Sequence, residues 1–180
     1  MTQIFKTLIL WCLIIPIISV GLSALTFTKI ITLNELQERI EVSFPLSQKN
    51  FLFNTTLSNP KIVLNKGVNR MGIDVDLALF SGEKPISQGS VFISGQIDYR
   101  PLGGEFYLKD THIDNLNLQG ISKERVKQVE LMLEIIARGL LSKIPIYRLK
   151  EENLKHRLAK SMLKSVKINN GKMEIALELF

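Results

Sequence analysis

The sequence predicts an α+β fold in which a mainly antiparallel sheet packs around one long apolar helix, and three observations support this. Between Phe51 and Leu118 apolar and polar residues alternate with period two. From Ser122 onward the apolar residues recur at three- and four-residue spacing. The blocks run as a short helix, many strands, helical segments and a closing strand, without the strand–helix alternation of a parallel sheet. No internal repeat, low-complexity tract or long linker divides residues 28–180, which read as a single domain.

Residues 1–27 differ in kind from the rest and read as a signal peptide or a transmembrane anchor helix. Lys6 precedes an apolar run from Thr7 to Phe27, broken only by Pro16, Ser19, Gly21, Ser23 and Thr26. At about 1.5 Å rise per residue, roughly 20 helical residues cross a hydrocarbon core of about 30 Å, so the run is long enough to span. The small residues Ser19, Gly21, Ser23 and Ala24 suit cleavage by a signal peptidase equally well. In both cases Lys6 keeps the N-terminus in the cytoplasm and sends the domain across the membrane. Cys12 is the only cysteine, and the bulky Leu10 and Trp11 before it do not form a lipidation signal. Cys12 and Trp11 therefore read as apolar filler of this segment.

After this segment, Thr32 followed three residues later by Glu35 spells a capping box, and Leu36 and Ile40 fall on one face of a helix from about Leu33 to Val42. Among the strands, Ile73, Val75, Leu77 and Leu79 alternate with Asp74, Asp76 and Ala78 most clearly. Further strands carry Val91, Ile93, Ile97 and Tyr99, then Phe106 and Leu108, then Ile113, Leu116 and Leu118, with breaks at Ser81-Gly82, Pro101 and Gly103-Gly104. The parity of apolar residues switches between Leu108 and Leu116, which predicts a bulge near Asp110 to Asp114 and a bent strand.

The long helix starts at Ser122 and places Val126, Val129, Leu133, Ile136, Leu140 and Ile144 on one stripe, widened by Leu131, Met132, Ile135, Ala137 and Leu141. Pro145 ends it, and Ile146 to Leu149 read as extended. A basic helix from about Glu151 to Lys164 follows, with Leu154, Leu158 and Met162 inward. Val166 and Ile168, the turn Asn169-Asn170-Gly171, and Met173, Ile175, Leu177 and Leu179 then predict a closing hairpin.

The 180 residues are 46% hydrophobic and 22% charged, enough apolar material for one core and too little charge for a disordered chain. One cysteine and two histidines exclude a disulfide scaffold and leave little for a metal site. A net charge of +6 suits an anionic partner, yet three tyrosines, one tryptophan and no arginine-rich run point to a membrane rather than nucleic acid. Asp74 and Asp76 share an outward strand face but lack further ligands, and His112 stands between Asp110 and Asp114 without an activated nucleophile. Ser94-Gly95 and Leu102-Gly103-Gly104 lack the strand-to-helix setting of a phosphate loop. No residue is assigned to catalysis, metal or cofactor binding, and the expectation is a protein that is not an enzyme.

The stretch Phe106-Tyr107-Leu108-Lys109-Asp110, the apolar helix, Ile144-Pro145-Ile146-Tyr147-Arg148-Leu149, Ala159-Lys160 and the closing strand resemble the YceB-like bacterial lipoproteins, a domain family of unknown function. The resemblance reaches back through Ile31-Thr32 and Phe44-Pro45-Leu46, and so covers nearly the whole domain. It implies a tubular lipid-binding (TULIP-like) fold, in which a strongly curved antiparallel sheet wraps a long helix around an apolar tunnel, and a periplasmic location in a Gram-negative envelope. This chain departs from those relatives in having no lipobox cysteine before the domain, which removes the basis for their lipid anchor and leaves two alternatives, an uncleaved inner-membrane helix in its place or a cleaved signal.

An extended apolar ligand is held by removing its surface from water, at roughly 0.8 kcal/mol per buried CH₂, and needs neither triad nor metal. The expected tunnel lining is Val126, Val129, Leu133, Ile136 and Leu140 from the helix, with Ile73, Val75, Leu77, Val91, Ile93, Ile175 and Leu177 from the sheet. The same residues also suit a filled core. Between Lys143 and Lys167 eight cations face Glu151 and Glu152. Of these, Arg148, Lys150, Lys155, Arg157, Lys160 and Lys164 are the expected contacts to anionic headgroups, with a solvated helix face as the plain reading. The function expected from the sequence is periplasmic, membrane-associated binding of a lipid or other hydrophobic ligand, as carrier or sensor. The alternative is a structural or interaction protein of the envelope with a filled core and a protein partner.

Overall fold

The computed structural model describes residues 25–49, 53–64, 69–100, 103–149 and 163–179. Nine strands and two helices lie within them: β1 Leu25–Thr32, α1 Leu33–Glu41, β2 Leu46–Lys49, β3 Asn54–Leu64, β4 Arg70–Ser81, β5 Lys84–Arg100, β6 Glu105–Leu118, α2 Lys123–Leu141, β7 Tyr147–Arg148, β8 Leu163–Asn169 and β9 Lys172–Leu179. All pairings are antiparallel. β2 to β7 form a six-stranded sheet in chain order, and a second sheet runs β1-β9-β8. The α+β class is as expected, but the strands divide into two sheets rather than one.

β1 passes into α1 without a loop because Thr32 is both the last strand residue and the helix N-cap. Its hydroxyl accepts from the Glu35 amide at 3.3 Å, and its own amide donates to Glu35 Oε2 at 2.8 Å, the reciprocal bonds of a capping box. Leu36 and Ile40 are buried from the opposite face. Gln37 reaches β3, donating to the Pro60 carbonyl at 2.5 Å and accepting from the Ile62 amide at 2.9 Å. Those backbone groups flank an irregularity between Ser58 and Lys61 that breaks the β3–β4 ladder, so one side chain replaces the missing sheet bonds.

The bulge expected near Asp110 to Asp114 is present, and it is double. Lys109 pairs with Gln96 and His112 with Ser94, so Asp110 and Thr111 stand opposite Gly95 alone, with Asp110 at φ 48°. A second shift follows, because Ile113 pairs with Ile93 and Asn115 with Phe92, leaving Asp114 extra. A Cβ at Gly95 would lie 3.1 Å from both the Lys109 carbonyl and Thr111 Cγ2, so any larger residue there would have to push these neighbours aside by a few tenths of an ångström. The closing hairpin also forms as expected, with Asn170 and Gly171 both at positive φ, as a tight two-residue turn between twisted strands requires.

Two expectations about α2 need correction, and two others fall mostly outside the described residues. α2 is a 19-residue amphipathic helix and not apolar all round: it buries Val129, Leu133, Ile136, Ala137 and Leu141, whereas Leu131 and Ile135 are 58% and 74% exposed. It ends at Leu141, so Ile144 lies beyond it. The signal or anchor segment falls outside the described residues except for Leu25 to Phe27, and these pair with β9 as sheet rather than continuing a helix. Likewise the basic helix from Glu151 lies outside the described residues, apart from Leu163 and Lys164, which are strand residues of β8. Among the described residues, no helix is long and apolar enough to cross a membrane.

The core is one contiguous cluster drawn from both sheets and both helices, including Ile31, Met173 and Ile175 from the smaller sheet, Ile73, Ile93 and Phe106 from the larger, Leu36 from α1 and Leu133 from α2. α2 lies against β6. At about 25 cal/mol per Å² of apolar surface removed from water, this shared cluster holds the two sheets together.

Candidate ligand-binding site

Alternation along β4 and β5 turns Ile73, Val75, Leu77, Val91 and Ile93 to the inner face of the larger sheet, where all five are buried. Ile175 and Leu177 join them from β9, and Val129, Leu133 and Ile136 from α2. Of the remaining expected lining residues, Leu140 is partly buried against this cluster, and Val126 is half-buried outside it. The helix and both sheets thus bring most of the expected lining into a single apolar interior.

Burial along β6 is uneven. Phe106 and Leu108 are fully buried. Beyond the double bulge, Ile113, Leu116 and Leu118 are only partly covered, as are Ile86 on β5, Ile121 between β6 and α2, and Met132 on α2. Two hydroxyls on the buried face, those of Thr55 and Thr111, are 2% exposed as residues and find no hydrogen-bond partner among the described residues. A buried polar group left unpaired costs roughly 1–3 kcal/mol, so these two hydroxyls are the costly polar positions of an otherwise apolar interior. Sequence reasoning missed them, because Thr55 and Thr111 are ordinary strand residues until register and packing are known.

The covered end of β6 is held by a polar clamp. Glu105 accepts hydrogen bonds from the Tyr107 hydroxyl and from Arg148 of β7. The Tyr107 bond first, and then the Arg148 and Arg100 charges, hold the Glu105 carboxyl below the usual carboxylate range. Burial, with the Glu105 carboxylate beside it, pushes the Tyr107 phenol up. The Arg100 guanidinium lies 3.9 Å over the Tyr107 ring and donates to the Ser142 carbonyl at 2.8 Å, tying the end of α2 to the sheet. Beneath the clamp, Phe106 packs against Tyr99 with ring centroids 4.8 Å apart and against Tyr147 at 6.3 Å. Burial raises the Tyr99 phenol to about 12.

Beside this clamp a half-open cleft of about 550 Å³ lies between β5, β6 and the last turn of α2. Arg100, Lys109 and Arg138 line it together with Asp98 and Asp110, and Leu108 and Thr111 belong to its wall.

The expected headgroup contacts separate. Arg148 is committed to Glu105, and Lys164 lies 3.5 Å from Glu178 and 3.4 Å from the Thr26 hydroxyl. Lys150, Lys155, Arg157 and Lys160 lie outside the described residues. Asp76 accepts from the Asn59 amide at 2.7 Å, and Asp74 stands opposite Lys61. His112 is exposed, and the two bulges remove the common strand face that would have aligned it with Asp110 and Asp114. Among the described residues, no group of three or more His, Cys, Asp or Glu side chains is placed to hold a metal.

A search of curated proteins finds no match to the chain. A family model, described as a protein of unknown function (DUF1439), matches residues 31–172, from the last residues of β1 to the start of β9. That span contains α1, the whole larger sheet, α2 and the clamp, and agrees with the family resemblance carried by Phe44-Pro45-Leu46 and Ile144 to Leu149. The chain therefore belongs to the DUF1439 family.

Proposed function

We propose that the protein binds a lipid or other hydrophobic ligand between α2 and the inner face of the larger sheet, as a non-enzymatic carrier or sensor in the periplasm. In this reading the sheet curves around α2 as in tubular lipid-binding folds, and residues 1–27 direct the domain to the inner membrane. The observation that carries it is the burial gradient along β6: the apolar layer is complete at Phe106 and Leu108 but left partly open at Ile113, Leu116 and Leu118. Apolar side chains that face an interior without being fully covered gain from an apolar guest. About ten buried methylenes would contribute roughly 8 kcal/mol before the costs of association. Contact with an anionic membrane through Lys155, Arg157 and Lys160 belongs to the same reading and predicts weakening by salt.

Native mass spectrometry with lipid extraction, on the full chain purified from bacterial membranes, tests the proposal. A stoichiometric lipid, lost on replacing Leu116 or Ile113 with a charged residue while the fold is retained, is the expected result. A lipid-free protein that also takes up no fluorescent acyl probe would replace it with the filled-core interaction protein.

A further inference from the structure

We infer that the cleft between β5, β6 and the last turn of α2 is a subsite for a zwitterionic headgroup, one that joins a phosphate to an ammonium group. The inference rests on the lipid-binding reading and names the polar end of the ligand.

Three features of the cleft point there. Its charges are mixed, and several are unspent: the side chains of Asp98, Lys109 and Asp110 make no hydrogen bond or ion pair among the described residues. A simple anion would meet the two carboxylates, and a simple cation would meet Arg100, Lys109 and Arg138, whereas a group with both charges satisfies both sets. The Arg100 guanidinium is already oriented by the Tyr107 ring and the Ser142 carbonyl. Arg138 is 60% exposed and tied only to Glu134 at 3.2 Å, one helical turn before it, so its guanidinium is available to an oxyanion. The cleft also sits at the C-terminal end of α2, the negative end of the helix dipole, which favours an ammonium.

The cleft also abuts the interior. Leu108 and Thr111 line it while belonging to the buried face of β6, and the Thr111 hydroxyl has no partner among the described residues. Because the lining runs through the bulge to His112, the cleft stands at the junction where the sealed part of β6 gives way to the partly covered Ile113, Leu116 and Leu118, so a headgroup held there would lie at one end of that apolar face. No comparable step from charge to apolar wall is needed for a protein that only packs its own core.

Displacement of a fluorescent acyl probe from the full chain separates the outcomes, using a lysophosphatidylethanolamine, a lysophosphatidylglycerol and a monoacylglycerol of equal chain length, with phosphoethanolamine as the chain-free control. The zwitterionic lipid is expected to bind at least tenfold more tightly than the monoacylglycerol. Lys109→Gln with Arg138→Gln removes that advantage and leaves monoacylglycerol affinity unchanged, which also reports an intact fold. Asp98→Asn moves the preference toward the phosphatidylglycerol analogue. Equal affinities for the three lipids, or variants that leave the preference intact, overturn the subsite but not the apolar site. Displacement by none of them overturns both. Phosphoethanolamine binding as tightly as its lyso-lipid keeps the cleft as a zwitterion site and overturns its assignment to a lipid.

Discussion

The two halves of β6 share a strand and a partner, β5, but differ in register and in burial. Before the double bulge, Phe106 and Leu108 are sealed beneath the Tyr99 and Tyr147 rings, with the Glu105 clamp above. After it, Ile113, Leu116 and Leu118 face the same interior and are only partly covered. Two extra residues in one strand separate a fully covered apolar region from a partly covered one. The lipid-binding proposal rests on that difference, and substitutions in the two halves can test it separately.

The largest expected effect is at the sealed half. Phe106→Ala removes a fully buried ring from the aromatic stack and should cost about 3–5 kcal/mol in chemical denaturation. A loss as small as that of an exposed residue would erase the distinction between the halves. Next comes alkaline stability. Burial raises the Tyr99 phenol to about 12 from its ordinary value of 10.0, so its contribution is complete below about pH 10 and is lost as pH climbs from there through the folded value. That loss is on the order of 2 kcal/mol, and Tyr99→Phe should flatten this limb of the stability–pH curve.

Glu105→Gln should cost about 1–2 kcal/mol at neutral pH, since two charge-assisted hydrogen bonds on a partly exposed carboxylate are weakened. The carboxyl is depressed in the folded state, so its contribution is present above the usual carboxylate range and fades as pH falls through the folded value. Acid titration of the variant should lack that fading. The smallest effect is at the open half: Leu116→Ala should cost under about 1 kcal/mol in thermal unfolding, because the side chain is already partly in contact with water. A cost equal to that of Phe106→Ala would make Leu116 core and remove the ground for a binding face.

Local chemistry was the legible part of the sequence. The Thr32 and Glu35 capping box, the alternation from Ile73 to Leu79, the bulge around Asp110 and the Asn170-Gly171 turn each depend on a few neighbouring residues and appear as read. The stripe of α2 was legible as a stripe, but spacing alone does not say which edge of a wide one meets the sheet, and Leu131 and Ile135 lie outside it. Pairing of β1 with β9 joins distant segments and has no local signature. The cleft was hidden for the same reason: Asp98, Lys109 and Arg138 come from three elements, and only strand register and helix packing bring them together.

The partnership of β1 with β9 also orders events in time. Leu25 to Thr32 emerge early from a ribosome or translocon, but their ladder partners are Lys172 to Leu179, almost the whole domain later. Until those residues arrive, β1 has no edge on which to add, and long-range pairing of this kind is the slow, entropically costly step of β folding. The smaller sheet is consequently the last piece to close, and a nascent chain halted before β9 would carry β1 as an unpaired apolar strand open to chaperones and to self-association.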